Sequence, residues 1–104
     1  MFIAMNRFQI NAGHESEFET VWRNRDSGLK QVPGFQSFHL LKGPVDKDTG
    51  CTLYASHTIW ESRDHFEDWT KSEHFRKAHR NAGDTREMYS GSPQFEGFET
   101  VLNE

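Results

Sequence analysis

The chain has one cysteine and three prolines in 104 residues, and no apolar run approaches the roughly 20 residues needed to cross a bilayer. Each shortage excludes something. A lone Cys51 cannot form an internal disulfide, and the opening Met1-Phe2-Ile3-Ala4-Met5-Asn6-Arg7 lacks the basic, apolar and cleavage regions of a signal peptide. A reducing cytoplasm is therefore the expected location, with no membrane partner. Positive charge is also scarce: 12 Lys and Arg stand against 16 Asp and Glu, for a formal charge of -4. Neutralising phosphates needs Lys and Arg clustered on one face, so nucleic acid is not an expected partner. Apolar residues make up only 34% of the chain and the mean hydropathy is -0.87.

What the chain does have is large rings, nine Phe and three Trp. Aromatic side chains bury far more area apiece than aliphatic ones, so they must carry much of the core. The length suits one domain over residues 1–104, since two separate cores would each bury too little surface to be stable.

Phe2, Ala4, Asn6, Phe8 and Ile10 alternate with Ile3, Met5, Arg7 and Gln9, the period-two signature of a strand. Asn6 falls on the face that carries the apolar residues. Asn11-Ala12-Gly13 breaks the strand, and Phe18, Val21, Trp22, Arg25 and Leu29 then recur at helical spacing from His14 to about Lys30. Pro33-Gly34 ends that helix. A second strand runs from Phe35 to Leu41, a polar loop from Gly43 to Gly50, and a third strand from Cys51 to Trp60, rich in β-branched and aromatic residues. Ser62 caps a short helix carrying Phe66 and Trp69, and Ser72 caps or kinks into another carrying Phe75, Ala78 and His79. Gly83 to Pro93 reads as a mobile, turn-rich loop suited to act as a lid, and Phe95 to Leu102 as the last strand.

Strand-helix-strand-strand-helix-strand is the order of a ferredoxin-like split βαβ unit, an α+β fold with a four-stranded antiparallel sheet. Helices on one face leave the other face in need of cover. A second copy supplies it in a homodimer, giving a dimeric α+β barrel.

Three residues stand out chemically: Asn6, Trp69 and His79. Each has an ordinary alternative. A buried Asn amide is usually paired to backbone or water, a Trp on a helix stripe is usually core, and a His among apolar helix neighbours is more often hydrogen-bonded than a ligand. His39 and His57 face each other across the strands in this reading, but lack the further donors of a tetrahedral metal site. His74 points away from His79, and Cys51 reads as a packed small hydrophobe. Arg7, Arg23 and Arg25 are candidate partners for a carboxylate, with surface salt bridging the equal alternative.

The segment Trp69-Thr70-Lys71-Ser72-Glu73-His74-Phe75-Arg76-Lys77-Ala78-His79 resembles the corresponding helical segment of the Isd-type heme-degrading monooxygenases. Phe2-Ile3-Ala4-Met5-Asn6-Arg7 resembles the same family's first strand. Pro33-Gly34-Phe35 and Trp60-Glu61-Ser62 match the broader antibiotic-biosynthesis-monooxygenase-like superfamily. The resemblance implies that heme is both substrate and cofactor. His79 becomes the proximal ligand of the iron, Asn6 the distal hydrogen-bond donor, and Trp69 the bulky group that presses the porphyrin out of plane. Distortion of the macrocycle is one of a protein's levers on heme reactivity. The implied reaction uses O₂ to open the ring at a meso carbon to a bilin, releasing iron in the manner of iron acquisition. Without a flavin or nicotinamide fingerprint in the sequence, electrons must come from an external donor or reductase.

Two other functions share this background. A cofactor-free monooxygenase acting on a quinol or polyketide has no need of Trp69 and His79 at this spacing. A non-catalytic heme carrier needs the ligand but no turnover, and a dimeric stress-type module needs neither. A Soret band on adding hemin separates the heme readings from the rest.

Overall fold

The computed structural model describes residues 1–25, 28–73, 75 and 87–104. The strands are β1 (Phe2–Ile10), β2 (Phe35–Val45), β3 (Thr52–Trp60) and β4 (Gln94–Glu99); the helices are α1 (Glu15–Arg23) and α2 (Arg63–Thr70), with a 3₁₀ turn at Leu29–Gln31. They form one antiparallel sheet in the order β2-β3-β1-β4, the ferredoxin-like arrangement. β1 and β3 pair without a break from Phe2 opposite Trp60 to Ile10 opposite Thr52. Because strand side chains alternate, that register puts Phe2, Ala4, Asn6, Phe8 and Ile10 on the same face as Trp60, Thr58, Ser56, Tyr54 and Thr52.

This inner face carries two aromatic clusters. Phe2, Ala4, Leu29, Val32, Trp60 and Trp69 make the first, with Phe35, Phe38, Phe66 and Phe75 packed against it. Phe8, Ile10, Phe18, Tyr54 and Met88 make the second, edged by Trp22, Leu40 and Tyr89. Helix α2 covers the first cluster through Phe66 and Trp69, and α1 covers the second through Phe18 and Trp22.

Local chemistry fixes each helix. Ser62 caps α2, its Oγ accepting from the His65 backbone N–H at 3.3 Å and lying 2.7 Å from His65 Nδ1. Helix α1 has no side-chain cap at His14. It is fastened to the sheet by carboxylates instead: Tyr54 Oη donates to Glu19 Oε2 at 2.6 Å, and Thr52 Oγ1 donates to Glu15 Oε1 at 3.3 Å. The Tyr54 hydroxyl, followed by Lys42 and Arg23, holds the Glu19 carboxyl below its ordinary range, while burial and the Glu19 contact push the Tyr54 hydroxyl up.

Several boundaries differ from the sequence reading; the last strand is one, running Gln94–Glu99 rather than Phe95 to Leu102. The first helix stops at Arg23 rather than Lys30, and Gly28, at φ +63°, starts the separate turn that buries Leu29. Periodicity continued through Leu29 because the turn also faces the inner side of the sheet, where Leu29 joins the first cluster while α1 packs on the second, and Val21 is exposed. β2 extends to Val45, through Gly43 and Pro44, with a register shift between Lys42 and Val45. Proline is tolerated there because β2 is an edge strand with a bulge. The segment expected as a loose loop is anchored over its described part. Asn11 N–H donates to Met88 O, Asn11 Nδ2 donates to Glu87 O and Tyr89 O, and Met88 is only 3% exposed.

Gly34 makes a very close approach to a neighbouring side chain. It sits at φ +83°, its carbonyl accepts from Glu61 N–H at 2.7 Å, and a Cβ there would lie 2.3 Å from the His65 ring. We predict that Gly34→Ala destabilises the chain by about 2–4 kcal/mol, from the left-handed backbone and the overlap together. Adding His65→Ala should restore part of that in urea unfolding; no recovery would place the cost elsewhere. A second prediction concerns acid. A carboxyl whose folded pKa is depressed contributes stability above its ordinary value and loses it as pH falls through the folded value. The stability advantage of the parent over Glu19→Gln should therefore be full at neutral pH and shrink progressively below 4.5. A gap independent of pH would show that the charge of Glu19 is not what fastens α1.

Candidate functional site

Between the two clusters the inner face turns polar. The row across the sheet at that level is Leu40, Ser56, Asn6 and Phe95, on β2, β3, β1 and β4 in turn. Ser56 is buried, but Asn6 is only half-buried and Phe95 is 52% exposed, although all lie on the helix-bearing face. The described helices thus leave this row partly uncovered. The Asn6 side-chain amide makes no hydrogen bond among the described residues, so two donors and an acceptor face the gap unused by the fold.

Flat rings flank the row. Phe66 of α2 stacks on Phe95 with centroids 5.5 Å apart and planes 5° from parallel. Trp22 of α1 stacks on Phe38 at 5.6 Å and 13°. The Arg25 guanidinium lies over both of the latter, 4.2 Å from the Trp22 centroid and 5.7 Å from that of Phe38. Burial draws its pKa down, with Tyr89 opposing the shift, but a guanidinium remains charged in the neutral range. One end of the gap therefore carries a fixed, half-buried cation.

The three arginines separate cleanly. Arg7 points to the opposite face of the sheet, where it pairs with Glu96, and Arg23 is exposed and pairs with Glu19 at 3.2 Å. Arg25 alone of the three stands beside the Asn6 row's aromatic flank. Sequence alone could not rank them, because all were equally basic and the helix was read as continuing past Arg25. Ser56 and Phe95 were not singled out at all; their signal is the strand register that sets both opposite Asn6.

Trp69 is 8% exposed and belongs to the first cluster, in a T-shaped contact with Phe75 at 4.8 Å and centroids 5.4 Å from Trp60. Ser72 closes the end of α2: its Oγ donates to Trp69 O at 2.6 Å and accepts from Phe75 N–H at 3.3 Å. The chain turns there and carries Phe75 back onto Trp69, which agrees with the expected role of Ser72. His79 and His74 lie outside the described residues. His39 and His57 do face each other, on the outer side of the sheet, and Cys51 is buried.

A family model for antibiotic biosynthesis monooxygenases matches residues 1–81. The chain belongs to the antibiotic biosynthesis monooxygenase family. Within that family it is similar to a staphylobilin-producing heme oxygenase of Staphylococcus epidermidis, 24% identical over 83 residues that cover 80% of this chain and 77% of the relative. It also resembles MhuD of Mycobacterium tuberculosis, a heme-degrader whose structure holds two hemes in its active site. The identity is 27% and the TM-score 0.73, with 100% of this chain and 99% of that one covered. SnoaB of Streptomyces nogalater, a cofactor-independent oxygenase, shares the fold at 22% identity and a TM-score of 0.70, covering 98% of this chain and 94% of its own. This antibiotic biosynthesis monooxygenase domain therefore has structural counterparts that use heme and counterparts that use no cofactor.

The packing of Trp69 sets a condition on any experiment at this position. We predict that Trp69→Ala costs about 3–5 kcal/mol in urea unfolding of the ligand-free chain, as expected for emptying a buried indole site, while Trp69→Phe costs much less. Equal, small losses for both would contradict the core placement.

Proposed function

We propose that this monooxygenase-family chain binds heme in the gap over the Asn6 row and degrades it. The observation that carries the reading is the Asn6 amide, half-buried, without a hydrogen bond among the described residues, and set between stacked aromatic pairs with Arg25 at one end. A porphyrin is a flat apolar ring with carboxylates at one edge. The flanking rings of Trp22, Phe38, Phe66 and Phe95 suit its faces, and a guanidinium suits its carboxylates. The heme-degrading relatives lend the reading independent support.

In this proposal His79 is the proximal iron ligand, on the strength of the segment that ends in Ala78-His79. Asn6 would be the distal hydrogen-bond donor. Its amide orients a small polar molecule entering there, and being uncharged it donates a hydrogen bond without giving up a proton. Trp69, backed by Trp60 and Phe75, would press on the bound group, distortion of the macrocycle being one of a protein's levers on heme reactivity. Arg25 fixes which edge of the ring faces α1. Bound heme supplies both the iron that activates O₂ and the ring that is opened to a bilin, with release of iron. Electrons come from an external donor or reductase. A second copy covers the outer face of the sheet, where Ile3, Met5, Leu53, Ala55 and Ile59 stand half-buried beside an exposed Phe98; this is the homodimer of the proposal.

Adding hemin should give a Soret band that saturates at one heme per chain and disappears in His79→Ala. A spectrum that stays that of free hemin ends the heme reading and leaves the cofactor-free one. Ascorbate and O₂ with catalase present should then bleach the band and release chelatable iron, and Asn6→Ala should slow bleaching about tenfold, the effect of losing one hydrogen bond of ~1.4 kcal/mol. A saturable band that survives reductant and O₂ identifies a carrier. Arg25→Gln should weaken hemin binding roughly tenfold or more, as for a lost charge-assisted hydrogen bond.

A further inference from the structure

The outer face of the sheet carries a second transverse row, one step along the strands from the first. His39 of β2 stands opposite His57 of β3, and His57 stands opposite Met5 of β1, so two imidazoles and a thioether lie side by side across three adjacent strands. The His39 and His57 ring centroids are 6.1 Å apart. One ion bound at about 2 Å from a nitrogen of each of two imidazoles sets their centroids roughly 5–6 Å apart, so the observed separation lies just outside the chelating range. Met5 is the next neighbour, within the ~5 Å spacing of paired strands.

Neither imidazole is hydrogen-bonded or ion-paired among the described residues, so the fold does not already engage their ring nitrogens. The charged groups on this side, Arg7 and Glu96, pair with each other. β2 is an edge strand and His39 is exposed in the single chain, so the row reaches the rim of the sheet; in the proposed homodimer, which covers this face, the row lies within the interface.

We propose that His39, His57 and Met5 form a copper site, selective for Cu⁺. The donor set decides the metal. Among the described residues no group of three His, Cys, Asp or Glu converges, so neither a zinc cage nor an oxygen-lined hard-cation site is built. The third donor is a soft sulfur, which favours Cu⁺ over zinc, and a three-coordinate set suffices for that ion. The site lies on the face of the sheet opposite Asn6 and is independent of the heme reading.

The test uses the tag-free chain and Cu⁺ delivered anaerobically as its acetonitrile complex, in competition with a chromogenic chelator, and Zn²⁺ in parallel. One Cu⁺ per chain is expected. His39→Gln and His57→Gln should each weaken it tenfold or more, as two halves of one chelate, and Met5→Leu should weaken Cu⁺ several-fold while leaving Zn²⁺ unchanged. Cys51→Ser and His79→Ala should retain it. X-ray absorption of the Cu⁺-loaded parent should show two nitrogen neighbours and one sulfur, a readout that depends on no variant folding correctly. The proposal is overturned if Cu⁺ is held as tightly without His39 or His57, if Cys51→Ser abolishes it, or if zinc binds as tightly as Cu⁺ and Met5→Leu changes neither.

Discussion

The pairing of β1 with β3 is the constraint on which the rest of this molecule depends. Over nine consecutive residues the two strands run without a bulge, from Phe2 opposite Trp60 to Ile10 opposite Thr52. Strict alternation then decides, for each side chain on two central strands, which of two environments it enters. The inner environment receives Phe2, Ala4, Phe8 and Ile10 and becomes core at both ends. It also receives Asn6 in the middle, opposite Ser56, and these polar groups interrupt what would otherwise be one continuous apolar layer. Both rows of chemical interest, that of Asn6 inside and that of His57 outside, are consequences of this one register.

A core made of few but large rings suits such an interruption. Aliphatic residues fill space in small increments, whereas the rings here meet in pairs and leave flat surfaces at the edges of the clusters, as Phe66 does with Phe95 and Trp22 with Phe38. A chain with so little aliphatic material thereby obtains both a stable core and broad apolar walls from the same residues. Trp69 illustrates the double duty, being part of the first cluster and the residue that the family resemblance places against the ligand.

Much of this was legible in the sequence. Period-two alternation located β1 and β3, and the order of elements led to the ferredoxin-like sheet, because both are local signals repeated over many residues. Boundaries were less legible where a different geometry buried a residue at the same spacing: Leu29 continued the helical pattern from a separate turn begun by Gly28, and Pro44 concealed the true length of an edge strand. The polar segment before β4 looked loose because its anchor is distant in sequence, the side chain and backbone of Asn11. For the site, Asn6 was visible as a polar residue in an apolar alternation. Arg25 was not distinguishable from Arg7 and Arg23, since only the three-dimensional arrangement shows that one of them lies over Trp22 while the others are engaged by glutamates. His79 falls outside the described residues, and its role rests on the resemblance of the segment that precedes it.

The unbroken ladder between β1 and β3 also shapes how this gene can change over time. Exchanging one side chain for another on β1 alters a single contact, but inserting or deleting a codon before Asn6 would turn every later residue of the strand over, sending Asn6 outward and Arg7 into the core. β2 already carries two irregularities in its pairing and ends beside a loop, so it can absorb a change of length at little cost. Descendants of this chain should therefore differ in length at the β2–β3 hairpin while keeping the reading of β1 in step.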